Sequence, residues 1–458
     1  MNIPIVQGTA VPTNYNQEQP ASYVISEVND TYPIEPQKRF QDVPWAILFI
    51  VHLIAIVAVI SMNIAGLQYG GGNSYGGLIW LVAVTAIISI AVSCASLSLM
   101  MKFPNAIIKT ALVFTVGMSL LMAVFGFLSG QIFAGVMGIV MFAIGICYAR
   151  MVWERIPFAA ANLNTALTAV KSNMGLTFIA IVMLVLAFGW SLLWFMGLGE
   201  AVSTSNGGIV FLLLVSYYWV HQVLSNIVHV TSAGTVATWW YVPLEAAACW
   251  STAIQDSFCR ATTYSFGSIC FGSLLVAIVQ ALKAMAHMAR ENDDMQMLAC
   301  ILECILAMIQ DMVEYLNNWA YVYVGIYGFS YLEAGRNVVQ LFENKGWSVI
   351  ITDDLCDRAL FMVSLGVGFV TGLITWAIAA ADQSLLGAFG DGAGLGGFLI
   401  GLLVGFVFSS ILLSVVASAV NTVIVCYAEA PAEFECNHPQ LSSEMRAAWT
   451  QAWPNLTI

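Results

Sequence analysis

Apolar residues in this chain come in long unbroken runs separated by short polar turns, and nine of the runs, near 45–66, 78–101, 107–128, 131–153, 175–198, 208–231, 264–288, 358–380 and 397–427, are membrane-length. An α-helix needs roughly 20 such residues to cross the ~30 Å of bilayer hydrocarbon. The pattern predicts an all-α, polytopic membrane protein with about ten transmembrane helices plus cytosolic interfacial amphipathic helices. The first 44 residues are polar and contain Pro4, Pro12, Pro20, Pro33 and Pro36, so a disordered cytosolic tail is expected there, with a transmembrane region over 45–430 and a second cytosolic tail over 431–458.

Lys and Arg fix the orientation, because they accumulate on the cytoplasmic side of membrane helices. With the N-terminus inside, Lys102, Lys109, Arg150, Arg155 and Lys171 fall in or beside cytoplasmic connections, whereas "LQYGGGNSYGG", "LSGQ" and "GEAVSTSNG" carry no Lys or Arg. Nine runs would leave the C-terminus outside, yet "ADQSLLGAFGDGAGL" reads as an exterior loop before the last span, so a tenth crossing is needed. Residues 298–330 are one option, but Glu303, Gln310, Glu314 and Asn317 form a polar stripe opposite Leu302, Ile305, Leu306, Ile309 and Val313, which suits an interfacial helix over 298–345. The favoured option is a broken or re-entrant segment over 233–250, which puts Lys283, His287 and Arg290 inside and Arg260 outside.

Composition agrees with the pattern: 60% hydrophobic, 9% charged and a mean hydropathy of +0.85 exclude a water-soluble globule. A net charge of −12 argues against nucleic-acid partners, which require clustered basic residues. The ten cysteines are scattered; Cys300 and Cys304 share a helical face without the further ligands of a zinc site, and no cofactor is expected. Gly397, Gly401 and Gly405, with Gly368 and Gly372, make G-x-x-x-G seams for close helix packing, either within the chain or across a homodimer.

The densest candidate chemistry is "NIVHVTSAGTVATWWY", residues 226–241. It places Asn226, His229, Thr231, Thr235 and Thr238 ahead of Trp239, Trp240 and Tyr241, and Gly234 and Pro243 make a helix interruption plausible. The following "RATTYSFGSICFGSLLVAI" adds Tyr264, Ser265 and Ser268. The hydroxyls could bond back to their own helix, with the aromatics as an interfacial belt. Alternatively, the two polar faces meet across a cavity lined by Trp219, Trp239, Trp240 and Tyr241. Such an aromatic cage holds a quaternary ammonium by cation–π attraction of about 2 kcal/mol per desolvated contact.

With "RFQDVPWAILFIVHLIA", "TYSFGSICFGSLLVAIVQALK", "YVYVGIYGFSYLEAGRNVVQLFENKGWSVIITDDL" and "CYAEAPAEFECNHPQL" in order, the chain resembles the choline transporter-like (CTL) family over about residues 39–449. The resemblance implies a roughly ten-span transporter with both ends cytosolic, moving choline or a related small organic cation across the plasma membrane or an organelle membrane. The short first exterior loop matches the form that lacks a large first extracellular domain.

No Asp or Glu lies inside the clear spans up to 231, Glu154 falling just beyond an edge, so facilitated diffusion driven by the membrane potential is expected, at about 2.3 kcal/mol per charge per 100 mV. A channel or scramblase-like lipid-handling protein is the alternative, and no hydrolase, zincin or P-loop motif supports an enzyme. Glu333 and Arg336, spaced to meet across one helical turn, are candidates for an inner gate.

Overall fold

The computed structural model describes residues 36–66, 76–204, 207–289, 296–345 and 355–452, in which every regular element is helical. The helices in chain order are α1 (Val43–Gly66), α2 (Gly76–Lys102), α3 (Pro104–Leu128), α4 (Ile132–Val152), α5 (Ile156–Ser172), α6 (Gly175–Thr204), α7 (Gly207–Tyr241) and α8 (Thr252–Thr262). They continue with α9 (Phe266–Ala289), α10 (Gln296–Tyr327), α11 (Tyr331–Lys345), α12 (Leu355–Ala381), α13 (Ala393–Glu429), α14 (Pro431–Asn437) and α15 (Pro439–Ala452). Nine stretches among the described residues are long and apolar enough to span a bilayer. Their outer surface is oily, with Phe125 at 74%, Leu128 at 82% and Phe133 at 80% exposure, as a lipid-facing belt requires.

The glycine seams lie inside the chain. A Cβ on Gly401 would stand 2.8 Å from the Gly372 Cα, and one on Gly405 would stand 2.9 Å from the Gly368 Cα, so α12 and α13 touch backbone to backbone. Of the two readings of these glycines, packing within the chain is the one observed: their bare faces are covered by the neighbouring helix. The same device closes the α3–α4 hairpin, where Gly138 faces Ala123 and Gly126 faces Gly135.

One end of the bundle is fixed by the segment leading into α1. Gln37 N–H bonds the Tyr327 carbonyl and Gln41 N–H the Tyr264 carbonyl, each at 2.9 Å. The Asp42 carboxylate accepts the Ser268 hydroxyl at 2.7 Å and the Tyr331 N–H at 2.8 Å. The start of α1, the start of α9 and the end of α10 therefore share one face. The end of α13 joins them, since Tyr323 and Tyr327 donate their hydroxyls to the Glu429 carboxylate. Lys109 over the Trp153 ring and Arg358 over Tyr148 sit at this same end. We call it the basic face, because it carries Lys38, Arg39, Arg260 and Arg336 as well.

Two sequence expectations differ from what is observed. First, α7 runs unbroken for 35 residues through Gly234 to Tyr241, and the break expected within 233–250 falls only in its later part, from Val242 and Pro243. The threonines do not break it, because each hydroxyl bonds within the helix. Second, the polar stripe of α10 faces a helix rather than water. Lys283 of α9 reaches Gln310 at 3.2 Å, Gln280 reaches Glu314 at 3.3 Å and His287 reaches Glu303 at 3.0 Å, while Ile305, Met308 and Met312 point outward. α10 has 32 residues and runs antiparallel to α9.

The C-terminal residues expected to form a tail are folded as far as Ala452. α15 docks on α5 through Trp449, which is fully buried and donates its indole N–H to the Asn162 amide oxygen at 2.9 Å.

Candidate functional site

The threonine hydroxyls of the 226–241 stretch are directed into α7 itself. Thr231 bonds the Ile227 carbonyl at 2.7 Å, Thr235 the Thr231 carbonyl at 2.9 Å and Thr238 the Gly234 carbonyl at 2.9 Å. This back-bonding to the i−4 carbonyl satisfies a hydroxyl without any cavity. Gly234 is required for a different reason: a Cβ there would lie 2.6 Å from the Arg260 guanidinium and 2.9 Å from the Gly325 carbonyl. At this crossing of α7 and α10, Arg260 reaches over the bare glycine to bond the Gly325 carbonyl at 2.8 Å. Burial pushes the guanidinium down to about 10.

The aromatic residues after it form a cap, not an open cage. The Trp240 ring stacks on Phe434 at 3.9 Å and its N–H bonds the Ala430 carbonyl at 3.0 Å, while Trp239 stacks on His438 at 4.0 Å. The Asn437 amide donates to the carbonyls of both Trp240 and Tyr241 at 2.9 Å, and His438 bonds the Trp239 carbonyl at 3.1 Å. A helix end leaves its last carbonyls without partners, and α14 supplies them here. Burial holds the His438 imidazole below its usual value, opposed by that bond to Trp239.

The remaining candidates are distributed along several contacts. Trp219 donates to the Cys270 carbonyl at 3.0 Å and Asn226 to the Ser273 hydroxyl at 2.9 Å, tying α7 to α9. Ser268 is held by Asp42, Tyr264 packs on Phe40, and Ser265 is fully buried at the α8–α9 corner. Thr238, Tyr241 and Tyr264 line a small cavity of about 430 Å³ at the basic face, with Lys38 and Arg260. Glu333 and Arg336 are exposed on α11, with no ion pair joining them among the described residues.

His229 leads to the larger opening. Its Nε2 donates to the Asn318 carbonyl at 3.0 Å, and its Nδ1 accepts from the Ser418 hydroxyl, so the ring is pinned between α10 and α13. The Asn318 side chain lines a cavity of about 720 Å³ bounded by α3, α5, α10, α12 and α13. Asp311, Glu314, Tyr315 and Trp319 of α10 face it, opposite Phe114 of α3, Phe158 and Asn162 of α5, Phe361 of α12 and Asn421 of α13. Asp357 and Arg358, at the start of α12, lie at its basic-face end. Carboxylates and aromatic ring faces along two turns of one helix make a wall suited to an organic cation.

Sequence reasoning found the polar stripe of α10 but missed this cavity. The missed residues are Asp311, Tyr315, Asn318, Trp319 and Asn421, with Glu314 noticed only as part of an interfacial face. The usable signal was chemical: a carboxylate or amide in an apolar run cannot satisfy itself on its own helix as a threonine can.

Sequence comparison places these features among known proteins. Residues 136–432 match the family model described as plasma-membrane choline transporter. A CTL-like protein of Dictyostelium discoideum is 27% identical over 81% of this chain and 69% of its own length. Protein PNS1 of Kluyveromyces lactis is 27% identical over 77% of this chain and 72% of its own, and Protein PNS1 of Candida albicans is 27% identical over 76% and 74%. With nine membrane-length stretches and a family match over well over half its length, this chain is a multi-pass membrane protein that belongs to the choline transporter-like family.

Proposed function

We propose that this protein carries choline or a closely related small organic cation across the membrane through the cavity against α10. The observation that carries the reading is the placement of Glu314, Asp311, Tyr315 and Trp319 on one wall of a cavity of about 720 Å³. A quaternary ammonium has no N–H to donate. It is attracted instead by carboxylate charge and by ring faces, at about 2 kcal/mol for a desolvated aromatic contact.

In this reading ten helices cross: α1, α2, α3, α4, α6, α7, α9, α10, α12 and α13. α10 supplies the tenth crossing, which returns both termini to the basic face. Positive residues favour the cytoplasm, so the basic face is the cytosolic one. Among the described residues, Lys283 alone of the Lys and Arg then sits in the exterior half. The cavity, reaching the start of α12, opens toward the cytosol, and the conformation is inward-facing. Transport is facilitated diffusion, with the membrane potential drawing the cation inward at about 2.3 kcal/mol per charge per 100 mV.

The test is uptake of radiolabelled choline by purified protein in liposomes, with the potential set by a potassium gradient. Saturable uptake and counterflow that follow the potential, without need of a sodium or pH gradient, are the expected result. Headgroup-independent lipid exchange, or unitary currents without saturation, would point instead to a lipid-handling protein or a channel.

A further inference from the structure

We infer that Lys283 is a tethered stand-in for the charge of the transported cation, an inference that rests on the cavity against α10 being the cation pathway. The Lys283 ammonium on α9 donates to the Gln310 side-chain oxygen at 3.2 Å, and the Gln310 amide donates to the Glu314 carboxylate at 2.7 Å. Gln280, one turn from Lys283, donates to the same carboxylate oxygen at 3.3 Å. Glu314 thus has a cavity side and a side held by α9. Between ammonium and carboxylate the Gln310 amide is polarised at both ends, which strengthens the chain of bonds.

The placement of Lys283 calls for a local explanation. A lysine in the exterior half runs against the positive-inside preference and carries an ionised group into apolar surroundings. One turn further out, His287 and Glu303 form their own pair at 3.0 Å. Asp311, the other acid that α10 gives the cavity wall, is exposed, and Asp357 lies at the basic-face end, at the start of α12. The Lys283 charge is therefore directed along Gln310 to the one carboxylate that bridges α9 and the cavity.

The consequence is a competition. With the cavity empty, Lys283 balances Glu314 and the empty carrier can reorient without an uncompensated charge. With an organic cation against Glu314 from the cavity side, the carboxylate is balanced by the substrate and its hold on Gln310 relaxes. No bond is made or broken in this exchange of counter-charges. A neutral side chain at position 283 removes the competitor, so the substrate binds more tightly, but the empty carrier must then return with an unpaired carboxylate, which is costly in a bilayer.

Lys283→Met in proteoliposomes tests this with two measurements on the same preparation. One is net uptake of labelled choline into empty vesicles, and the other is exchange against internal unlabelled choline. The expected result is a lowered KM for exchange and a net uptake reduced about tenfold relative to exchange, with Lys283→Arg close to wild type on both. Equal changes in net uptake and exchange, or none in either, would overturn the inference. Should Lys283→Met fail to fold, Gln310→Met keeps the ammonium but cuts its link to Glu314, and it must give the same split. A wild-type protein that moves no labelled choline would sink the cation pathway itself. Wild-type transport with an inactive Glu314→Gln and an unsplit Lys283→Met would sink only the role of Lys283.

Discussion

Two polar stretches in this apolar protein behave in opposite ways. In α7, Thr231, Thr235 and Thr238 sit on consecutive turns and all turn their hydroxyls onto their own backbone, leaving a helix that reads as polar but acts as packing. In α10, Asp311, Glu314, Asn317 and Asn318 occupy two turns and look outward, to α9, to α11 or into the cavity. The difference lies in what each group needs. A hydroxyl is small and finds an acceptor four residues back, whereas a carboxylate accepts only and must obtain donors, cations or water from elsewhere.

The largest effect that tests this contrast is on transport. Glu314→Gln removes a charge from the cavity wall while keeping the side chain's size. A carboxylate within about 4 Å of an organic cation at intermediate dielectric contributes roughly 2–4 kcal/mol, so KM for choline should rise about a hundredfold. Liposome uptake with an unchanged melting midpoint would assign the loss to binding. Unaltered kinetics would mean that α10 is no more functional than α7.

Trp240→Leu should do the reverse. The indole is fully buried, stacked on Phe434 and bonded to Ala430, so shortening it should cost about 2–3 kcal/mol of stability by large-to-small core precedent. Thermal unfolding in detergent would report that loss, while KM of the surviving folded fraction stays at the wild-type value. A raised KM at unchanged stability would restore Trp240 to a binding cage.

Acid should loosen the same cap. Burial lowers the His438 pKa from the usual 6.5, so the folded state takes up its proton less readily than the unfolded state. Stability contributed by the neutral ring is then full above about pH 6.5 and is lost as pH falls through that value toward the folded pKa. The melting midpoint of wild type should drop more between pH 7.5 and 5.5 than that of His438→Gln. Parallel curves would remove His438 from the cap's energetics.

How far the sequence could be read follows the same division. The long runs such as 107–128 and 397–427 were legible because bilayer thickness sets a length that composition alone can meet. α10 was ambiguous, since a polar stripe has the same period whether it faces water or the Lys283–Gln280 edge of α9. Of Gly234 and Pro243, which together make an interruption plausible within 233–250, only the proline lies where α7 ends, and the helix runs straight through the glycine. In the structure the glycine marks the spot where Arg260 crosses. The cavity was out of reach: Phe114, Phe158, Glu314, Phe361 and Asn421 lie on five different helices, tens of residues or more apart in sequence, and meet only in the fold.

The smallest expected effect is the sharpest test of the comparison. Thr235 is fully buried with its hydroxyl on the Thr231 carbonyl, which also belongs to the backbone ladder of α7. Thr235→Val keeps the branched shape and deletes only that second bond. Hydroxyl contacts in membrane helices are worth about 0.6 kcal/mol on average, and the methyl that replaces the oxygen no longer has to be desolvated, so the net change should stay within about 1 kcal/mol. Choline KM should not move at all, because no part of this hydroxyl faces either cavity. A large kinetic defect in Thr235→Val would show that α7 rearranges during transport to present its hydroxyls to the substrate, and α7 would then belong to the pathway in another state of the cycle.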